Sequence, residues 1–325
     1  MKFIDMHCDT LIAMVDPKPG ESLLKNSKSV DFLRMKEGGA MAQIFAMFLL
    51  VEGGFPERGL TYMTDDEYIE KLIAKTKEDV AANPDLIAMA YSAKDIIEND
   101  KNGKMSAILA IEDGRSVKAD MNKIKHYHDM GVRLITLTWN YYNCFGAPNS
   151  ANKTIMEDGL TAFGKEAIQY MQELGVLIDV SHLSDGGFWD IINLTKKPFV
   201  ASHSNCRALS AHPRNLTDEM IKALANAGGC TGLNFYPAFL DEDTTATVST
   251  VDLLVKHALH MKNVGGIDVV ALGSDLDGIT GEIEVEDISK MPMLIDGFRK
   301  GGFSEDEIEK ICYKNVLRVM KDAIG

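Results

Sequence analysis

Short apolar stretches rich in β-branched residues alternate with longer amphipathic stretches along the whole chain. Several of the short stretches are apolar at nearly every position, which is typical of strands in a parallel sheet that is covered on both faces. The pattern predicts eight strands, over Lys2–Met6, Ala42–Leu49, Ser106–Ile111, Val132–Thr138, Val176–Val180, Phe199–Ser202, Cys230–Phe235 and Val269–Gly273.

The amphipathic stretches between these strands carry helix start and stop signals. Gly131 and Gly175 each follow a helical pattern directly, and glycine after the last turn is the commonest C-terminal stop. Ser304 precedes Glu-Asp-Glu, an N-terminal capping pattern that predicts a final helix as far as Ala323. The other predicted helices run from Asp65 to Asn83-Pro84 and over Lys118–Met130, Leu160–Leu174, Thr217–Ala227 and Val251–Val264.

Eight strands alternating with helices predict a single TIM-like (β/α)₈ barrel, an α/β fold, with a C-terminal helix. The alternative is an open, doubly wound sheet, but no early strand is followed by the glycine-rich phosphate turn common in that fold. No proline-rich linker or shift in composition divides the chain. We therefore expect one barrel domain over residues 1–325.

Composition narrows the choice of partners and compartment. The chain has 34 Lys and Arg against 48 Asp and Glu, a net charge of −14, which argues against general binding to nucleic acid or to anionic membranes. Acidic residues and a histidine interrupt the amino terminus where a signal peptide needs an apolar run. The five cysteines are scattered and include no CxxC pair. They are typical of reduced thiols, so a cytoplasmic protein is expected.

Metal-binding and proton-transferring side chains gather at the ends of five of the eight predicted strands. His7 and Asp9 belong to the same strand and, since side chains alternate between faces, point the same way. All of these residues lie at C-terminal strand ends, where barrel enzymes place their active sites. The residues are His7 and Asp9 on the first strand, Glu112 on the third, His182 on the fifth, His203 on the sixth and Asp275 on the eighth.

Each of these residues alone has an ordinary structural explanation, such as a capping carboxylate or a turn residue at Asp275-Leu276-Asp277-Gly278. Together they are harder to explain without a ligand, because several acids in one barrel mouth repel one another unless cations are present. Three histidines and two or three carboxylates, with no thiolate cluster, are typical of Zn²⁺ or a neighbouring transition metal.

With these strand ends in order, the chain resembles the membrane (renal) dipeptidase family of zinc metallopeptidases. The resemblance spans about residues 4–279 and implies a TIM-like barrel, a two-zinc centre, dipeptide hydrolysis and commonly a homodimer. The secretion and lipid anchoring of the animal enzymes are not implied, so the chain resembles a cytoplasmic, bacterial-type member. The matching segments are IDMHCDT, AIEDGRSV, GVRLITLTWN, GLTAFGKEAIQYMQELGVLIDVSHLSD, VASHSNCRALSAHPRNLTDEM, GLNFYP and GSDLDGI.

The resemblance also implies residue roles. Arg214 is expected to hold the substrate's C-terminal carboxylate with help from Tyr236, and Asp275 is expected to transfer protons. The implied metal ligands form two pairs and a bridge: His7 with Asp9 on one zinc, His182 with His203 on the other, and Glu112 between them.

One position departs from the family pattern. Trp139 stands where the animal enzymes have a histidine that contacts the substrate and supports the tetrahedral intermediate. The substitution leaves the metal ligands unchanged but affects substrate preference and rate. Trp139 and Asn140 are therefore expected to contact the substrate, with Asn140 or Asn143 as a replacement donor.

These expectations combine into a function with two alternatives. The principal hypothesis is hydrolysis of dipeptides, including those with a D-residue at the C-terminal side, by a hydroxide that bridges two zinc ions. In it Asp275 acts as general base and then as general acid. The first alternative is an amidohydrolase for N-acyl amino acids, cyclic amides or lactams. The second is a non-catalytic metal-binding scaffold, which Arg214 and Asp275 argue against because metal storage needs neither.

Overall fold

The computed structural model describes all residues, Met1–Gly325, and a closed ring of eight parallel strands lies at its centre. The ring runs β2-β1-β10-β8-β7-β6-β5-β4 and closes by pairing of β2 with β4. The predicted TIM-like barrel is confirmed. The strands are β1 (Phe3–Cys8), β2 (Ala40–Phe48), β3 (Ile87–Met89), β4 (Met105–Glu112), β5 (Val132–Thr136), β6 (Leu177–Asp179), β7 (Val200–Ala201), β8 (Cys230–Leu233), β9 (Val248–Ser249), β10 (Val270–Leu272) and β11 (Glu282–Ile283).

Every predicted strand overlaps one strand of the barrel, with ends that differ by at most two residues. Most predicted ends, among them Thr138, Val180, Ser202 and Phe235, extend past the observed ones, because the chain stays buried there after the strand ladder stops. Three strands were not predicted. β3 pairs with the first three residues of β4 before β5 takes over that edge at Leu109, and β9 and β11 form a separate two-stranded sheet.

Helices surround the barrel, and their first turns follow the capping signals in the sequence. Thr64 and Ser304 each form a capping box with the glutamate three residues later. The helices are α1 (Phe32–Gly38), α2 (Gly54–Glu57), α3 (Asp65–Ala82), α4 (Ala93–Lys101), α5 (Met121–Asp129), α6 (Lys153–Glu157), α7 (Ala162–Leu174), α8 (Asp185–Leu194), α9 (Asp218–Asn226), α10 (Val251–Gly265), α11 (Met291–Lys300), α12 (Glu305–Glu309) and α13 (Asn315–Ala323).

Two predicted helices needed correction. The helix expected from Lys118 begins at Met121, because Lys118 and Ala119 have φ angles of 51° and 56° and cannot lie in a right-handed helix. Asp120 then caps α5 by accepting from the Asn122 amide. The final helix contains a π-helical segment, Lys310–Lys314, between α12 and α13.

Helix α13 packs at the amino end of the barrel, away from the strand ends that carry the predicted site. Its residues Val316 and Val319 belong to one buried apolar cluster with Leu177, Val200 and Cys230, which are the first residues of β6, β7 and β8. The C-terminal ends of the strands lie at the opposite end of the barrel. None of the helices combines the length and the apolar character that a membrane crossing requires.

Close contact between backbones narrows the barrel near its C-terminal mouth. A Cβ atom on Gly232 or on Gly273 would overlap the carbonyl oxygen of Ser202. Only glycine lets β8 and β10 approach the residue after β7 so closely. This contact fixes the positions of the residues that follow, His203 and Asp275.

The buried side chain of His257 ties α10 to two of the loops at this mouth. Its Nδ1 accepts from the Cys206 amide at 3.1 Å, and its Nε2 donates to the Leu240 carbonyl at 2.9 Å. Burial lowers the pKa of His257 from 6.5 to about 4. The folded protein therefore holds this imidazole neutral at pH values at which the unfolded chain protonates it.

We expect His257 to make the fold acid-sensitive. Because the pKa of His257 is depressed in the folded state, the contribution of this residue to the free energy of unfolding is present above pH 6.5 and is lost as the pH falls towards 4. The loss is about 2 kcal/mol between pH 7 and pH 5. Urea unfolding of the wild type and of His257→Gln at both pH values measures this. Over that interval the free energy of unfolding of the variant should fall by about 2 kcal/mol less than that of the wild type. His126→Gln, at an exposed position, should keep the pH dependence of the wild type. Equal losses in all three proteins would contradict the assignment.

Candidate metal centre and active site

The C-terminal ends of five barrel strands bring the six predicted metal-binding and proton-transferring residues into one buried cluster. Each of the six side chains is at most about one-tenth exposed. They come from the end of β1, the last residue of β4, and the segments directly after β6, β7 and β10. The residues are His7, Asp9, Glu112, His182, His203 and Asp275.

Glu112 lies between two sets of imidazoles and presents one oxygen to each. Its Oε2 is 3.3 Å from Nε2 of His7, and its Oε1 is 3.1 Å from Nε2 of His182 and 3.7 Å from Nε2 of His203. Burial by itself raises the pKa of Glu112, but His7 and His182 outweigh it and hold this pKa well below its usual range. The carboxylate is therefore ionised and has the arrangement of a bridging ligand.

Asp9 and Asp275 lie on the other side of His7, each with an oxygen 3.9 Å from its Nε2. Burial opposes a charge on His7, but Glu112, Asp9 and Asp275 together raise the pKa of this imidazole to about 10. Burial and the charge of Glu112 raise the pKa of Asp275 to about 6 against the opposing effect of His7. The carboxylates around His7 therefore favour a cation at this position.

The residues present fit a metal centre. Nδ1 and Nε2 of His7, Oδ1 of Asp9 and Oε2 of Glu112 are buried without a hydrogen-bond partner, which is costly for polar atoms unless something binds them. Two trios hold their ligand atoms within 4.8 Å of one another: His7, Glu112 and His203, and His7, Asp9 and Asp275. Burial lowers the pKa of His182 to about 4 and that of His203 well below its usual range. Both rings are thus neutral, as metal coordination requires.

Two of these residues adopt a backbone conformation that is unusual for side chains other than glycine. His182 and Asp275 have φ angles of 69° and 62°. Such strained residues persist only where neighbouring contacts hold them, and they concentrate at functional sites. The Asn149 amide donates to the His182 carbonyl at 2.7 Å, and the Asp275 amide donates to the His7 carbonyl at 3.1 Å.

Arg214 enters the same cavity from the loop between β7 and α9. Its guanidinium is buried, donates to Ser204 Oγ at 3.2 Å and to the His203 carbonyl at 3.4 Å, and leaves Nε without a partner. No carboxylate of the protein lies within 4 Å of it. Burial lowers its pKa to about 10, so the group is still charged near neutrality. An unpaired buried cation is a binding site for an anion.

The cavity has a volume of about 400 Å³ and two chemically different sides. Tyr236 lines it beside Arg214, on the side of β7 and β8. On the opposite side, at the ends of β2 and β5, Phe48 and Trp139 pack edge to face with ring centroids 4.9 Å apart. Trp139 is also 6.3 Å from the ring of His182.

The structure separates the two asparagines that were considered as replacement donors. Asn140 lines the cavity, and its Oδ1 lies 3.1 Å from Nδ1 of His182. The side chain of Asn143 instead donates to Asp113 Oδ1 and to the Leu137 carbonyl, both at 2.8 Å. Asn143 therefore has a structural partner on each side, and Asn140 alone of the two faces the cavity.

Sequence reasoning assigned no role to several residues that support the site. Asn234 donates to Asp275 Oδ2 at 2.8 Å, and Asp5 and Asp179 lie fully buried beneath the cluster. A signal was available for Asp5, which alternation places on the same face as His7. Nothing in the apolar run of β2 marks its last residue, Phe48, as part of the cavity wall.

Comparison with known proteins shows the family to which the chain is similar. The family model of the membrane dipeptidases, peptidase family M19, matches residues 1–324. An uncharacterized protein from the pqqA 5′ region of Klebsiella pneumoniae is 36% identical over 255 residues, which cover 77% of this chain and 94% of that protein. An uncharacterized dipeptidase of Schizosaccharomyces pombe is 31% identical over 303 residues, covering 90% of this chain and 71% of the relative.

Solved structures share the fold over the full length. The dipeptidase AC, a metallopeptidase of family M19, superposes with a TM-score of 0.88 at 25% identity and covers 100% of this chain and 99% of its own. A metallopeptidase from Rhodobacter sphaeroides, liganded with a phosphinate mimic of the dipeptide L-Ala-D-Ala, gives a TM-score of 0.88 at 23% identity, with 99% of both chains covered.

Gly278 offers a test of the acidic side of the cluster. A Cβ atom there would overlap Asp9 Oδ2 and lie 2.6 Å from Asp275 Oδ1. Because both atoms are ends of side chains, we expect Gly278→Ala to displace the carboxylates and leave the fold intact. The variant should bind at least about tenfold less metal at a limiting concentration, measured by metal analysis after gel filtration.

Gly53→Ala is the matched control, since a Cβ atom on Gly53 meets nothing within 4 Å. It should bind metal like the wild type. Wild-type metal content in Gly278→Ala would show that Asp9 and Asp275 are not placed around a metal.

Proposed function

The chain belongs to the membrane dipeptidase family and is a metal-dependent dipeptidase, and on that premise we propose that it acts through two zinc ions. The placement of Glu112 is the observation that carries this proposal. One oxygen faces His7 and the other faces His182 and His203, so a single carboxylate serves two neighbouring positions. In this proposal His7 and Asp9 hold one ion, and His182 and His203 hold the other.

The donor set of imidazoles and carboxylates matches the preferences of zinc. When bound, the metals supply Lewis acidity, which polarises a carbonyl oxygen and lowers the pKa of water. The remaining chemistry belongs to the side chains around them.

Asp275 is the proposed proton carrier. Its Oδ2 accepts from Asn234, while its Oδ1 points towards His7. One oxygen is thus fixed and the other faces the cluster. From this position Oδ1 takes a proton from the attacking water and delivers that proton to the nitrogen of the departing amine. Burial favours this exchange because it keeps the pKa of Asp275 above that of an ordinary aspartate.

Arg214 explains why the substrate is a dipeptide. A free C-terminal carboxylate would give the buried guanidinium the anionic partner that the protein does not supply. Because Arg214 also donates to the carbonyl of the proposed ligand His203, only a short stretch separates the carboxylate site from the metals. One residue fits between the scissile bond and the chain end. Tyr236, beside Arg214 in the cavity wall, borders the same residue.

The aromatic pair on the other side of the cavity is the proposed contact for the first residue of the substrate. Phe48 and Trp139 form an apolar wall next to His182. A large or aromatic substrate side chain therefore buries more apolar surface there than glycine does, and binds more tightly. Asn140, at the edge of this wall, contacts the substrate as well as His182. We also propose that D-residues are accepted at the second position. The Rhodobacter sphaeroides relative, whose ligand mimics L-Ala-D-Ala, supports this.

An N-acyl amino acid is the second candidate substrate. It would use the same Arg214 contact, and its acyl group would pack on Phe48 and Trp139. It differs from a dipeptide in lacking the free amine, and the substrate panel below separates the two candidates.

Location and assembly complete the proposal. All five cysteines are free, and four of them are buried, which is compatible with the reducing cytoplasm. A homodimer remains a prediction from the family resemblance.

Turnover of a substrate panel tests the function. We expect the zinc-loaded protein to hydrolyse L,L- and L,D-dipeptides, to prefer an aromatic first residue over glycine, and to act weakly on N-acyl amino acids and a β-lactam. Amine release should stop after treatment with a chelator and return when zinc is added. Hydrolysis of N-acyl amino acids alone would overturn the proposed substrate, and turnover unaffected by complete metal removal would overturn the mechanism.

Arg214→Met should lower kcat/KM for dipeptides by about 100-fold or more, because it removes a charge-assisted two-point contact of roughly 3 kcal/mol. C-terminally amidated dipeptides provide the control, since they lack the carboxylate. They should be poor substrates for the wild type and should be affected little by the substitution. A similar loss with both substrates would show that Arg214 does not bind the carboxylate.

A further inference from the structure

The histidines of the cluster differ in what holds the ring nitrogen that faces away from it. Nδ1 of His203 lies 2.7 Å from Ser202 Oγ, and Ser202 Oγ lies 2.6 Å from Asp179 Oδ2. All three residues are fully buried. They form a continuous chain from a carboxylate, through a hydroxyl, to a proposed metal ligand.

Hydrogen-bond counting fixes the direction of this chain. Asp179 is surrounded by donors: the Ser181 and Ser202 amides at 3.0 and 2.8 Å, and the hydroxyls of Thr136 and Ser202, both at 2.6 Å. A carboxylate only accepts, so Ser202 gives its single proton to Asp179. Ser202 Oγ must then accept from Nδ1–H of His203. The lone pair of His203 is left on Nε2, which faces Glu112 and His182.

A neighbouring oxygen sets the tautomer of the His182 ring in the same way. Its Nδ1 lies 3.1 Å from Asn140 Oδ1, and an amide oxygen only accepts. Nε2 of His182 therefore also carries the lone pair, and it lies 3.1 Å from Nε2 of His203 and 3.1 Å from Glu112 Oε1. Three acceptors so close together repel one another unless a cation lies between them. Both rings at this position have their metal-facing nitrogen set in advance.

His7 lacks such support, although a similar pair of residues lies beneath it. Ser274 Oγ donates to Asp5 Oδ2 at 2.7 Å, as Ser202 does to Asp179. The other neighbours of Ser274 Oγ are the His7 main-chain carbonyl and the Leu276 amide, both at 3.3 Å, and Nδ1 of the His7 ring has no partner. The barrel thus contains two buried Asp–Ser pairs, and only one of them reaches an imidazole.

We propose that Asp179 and Ser202 are positioning residues that lock His203 in one tautomer and make the His182–His203 position the tighter of the two metal positions. The inference rests on the proposed two-metal function. A ligand whose tautomer and orientation are already set loses less freedom on binding, and removal of such support commonly costs 10–100-fold in metal affinity. The His7–Asp9 position, without it, is expected to fill second and to exchange faster.

The two Asp–Ser pairs supply a matched experiment. Zinc titrations in competition with a chromophoric chelator should show two steps for the wild type. Ser202→Ala should weaken the tighter step by about 10–100-fold, Ser274→Ala should leave it within about threefold, and Ser202→Thr, which keeps the hydroxyl, should restore most of it. Asn140→Ala, at an exposed position, tests the same metal position without disturbing the core and should also weaken the tighter step.

A second measurement reports the tautomer directly. In metal-free protein labelled with ¹⁵N-histidine, His203 should carry its proton on Nδ1 in the wild type and in Ser274→Ala, and should become a mixture in Ser202→Ala. Loss of packing alone would not change this signature.

Several outcomes would overturn the proposal. These are two equal binding steps in the wild type, equal weakening by Ser202→Ala and Ser274→Ala, or a His203 proton on Nε2. A tighter step that Asn140→Ala leaves unchanged would also count against it if Ser202→Ala fails to fold. Failure of the proposed function looks different, since metal would then bind in two steps without hydrolysis of any dipeptide.

Discussion

The repulsion among three buried carboxylates is the constraint on which the site depends. Asp9, Glu112 and Asp275 each place an oxygen within 4 Å of one imidazole nitrogen of His7, in a region from which water is largely excluded. Without a cation, the repulsion is relieved by a proton held on His7 and by the raised pKa values of Asp9 and Asp275. Divalent metals would replace these protons with more charge. The acids are therefore tolerable in the fold because the site is built for ions.

This arrangement crowds and strains the backbone of the barrel. Residues from five strands meet only because the ring closes, and they meet so tightly that glycine is required at positions 232 and 273. His182 and Asp275 add left-handed backbone conformations, held by main-chain hydrogen bonds from neighbouring segments. Packing elsewhere must offset this strain. The apolar cluster formed with α13 at the opposite end of the barrel is one such source.

The barrel and the ligand cluster could be predicted because both follow from periodicity. Strand ends converge in a closed parallel barrel, and His7 and Asp9 share a face by simple alternation. Hydrogen bonds between distant segments could not be predicted in this way. That Asn140 rather than Asn143 faces the cavity, or that Ser202 rather than Ser274 reaches an imidazole, depends on side-chain directions that two similar sequence contexts do not distinguish. The late start of α5 could not be predicted either, because two residues that are not glycine, Lys118 and Ala119, form the left-handed turn before it.

The charges of the cavity also give the substrate a direction. A dipeptide is a zwitterion, and under the proposed function the unpaired guanidinium of Arg214 attracts its carboxylate and repels its amine. A reversed substrate would place its amine against this guanidinium, so only one orientation places the scissile bond at the cluster. The aromatic wall of Phe48 and Trp139 adds apolar selectivity without altering that polarity. The side-chain preference can therefore change at this wall while the orientation stays fixed by Arg214.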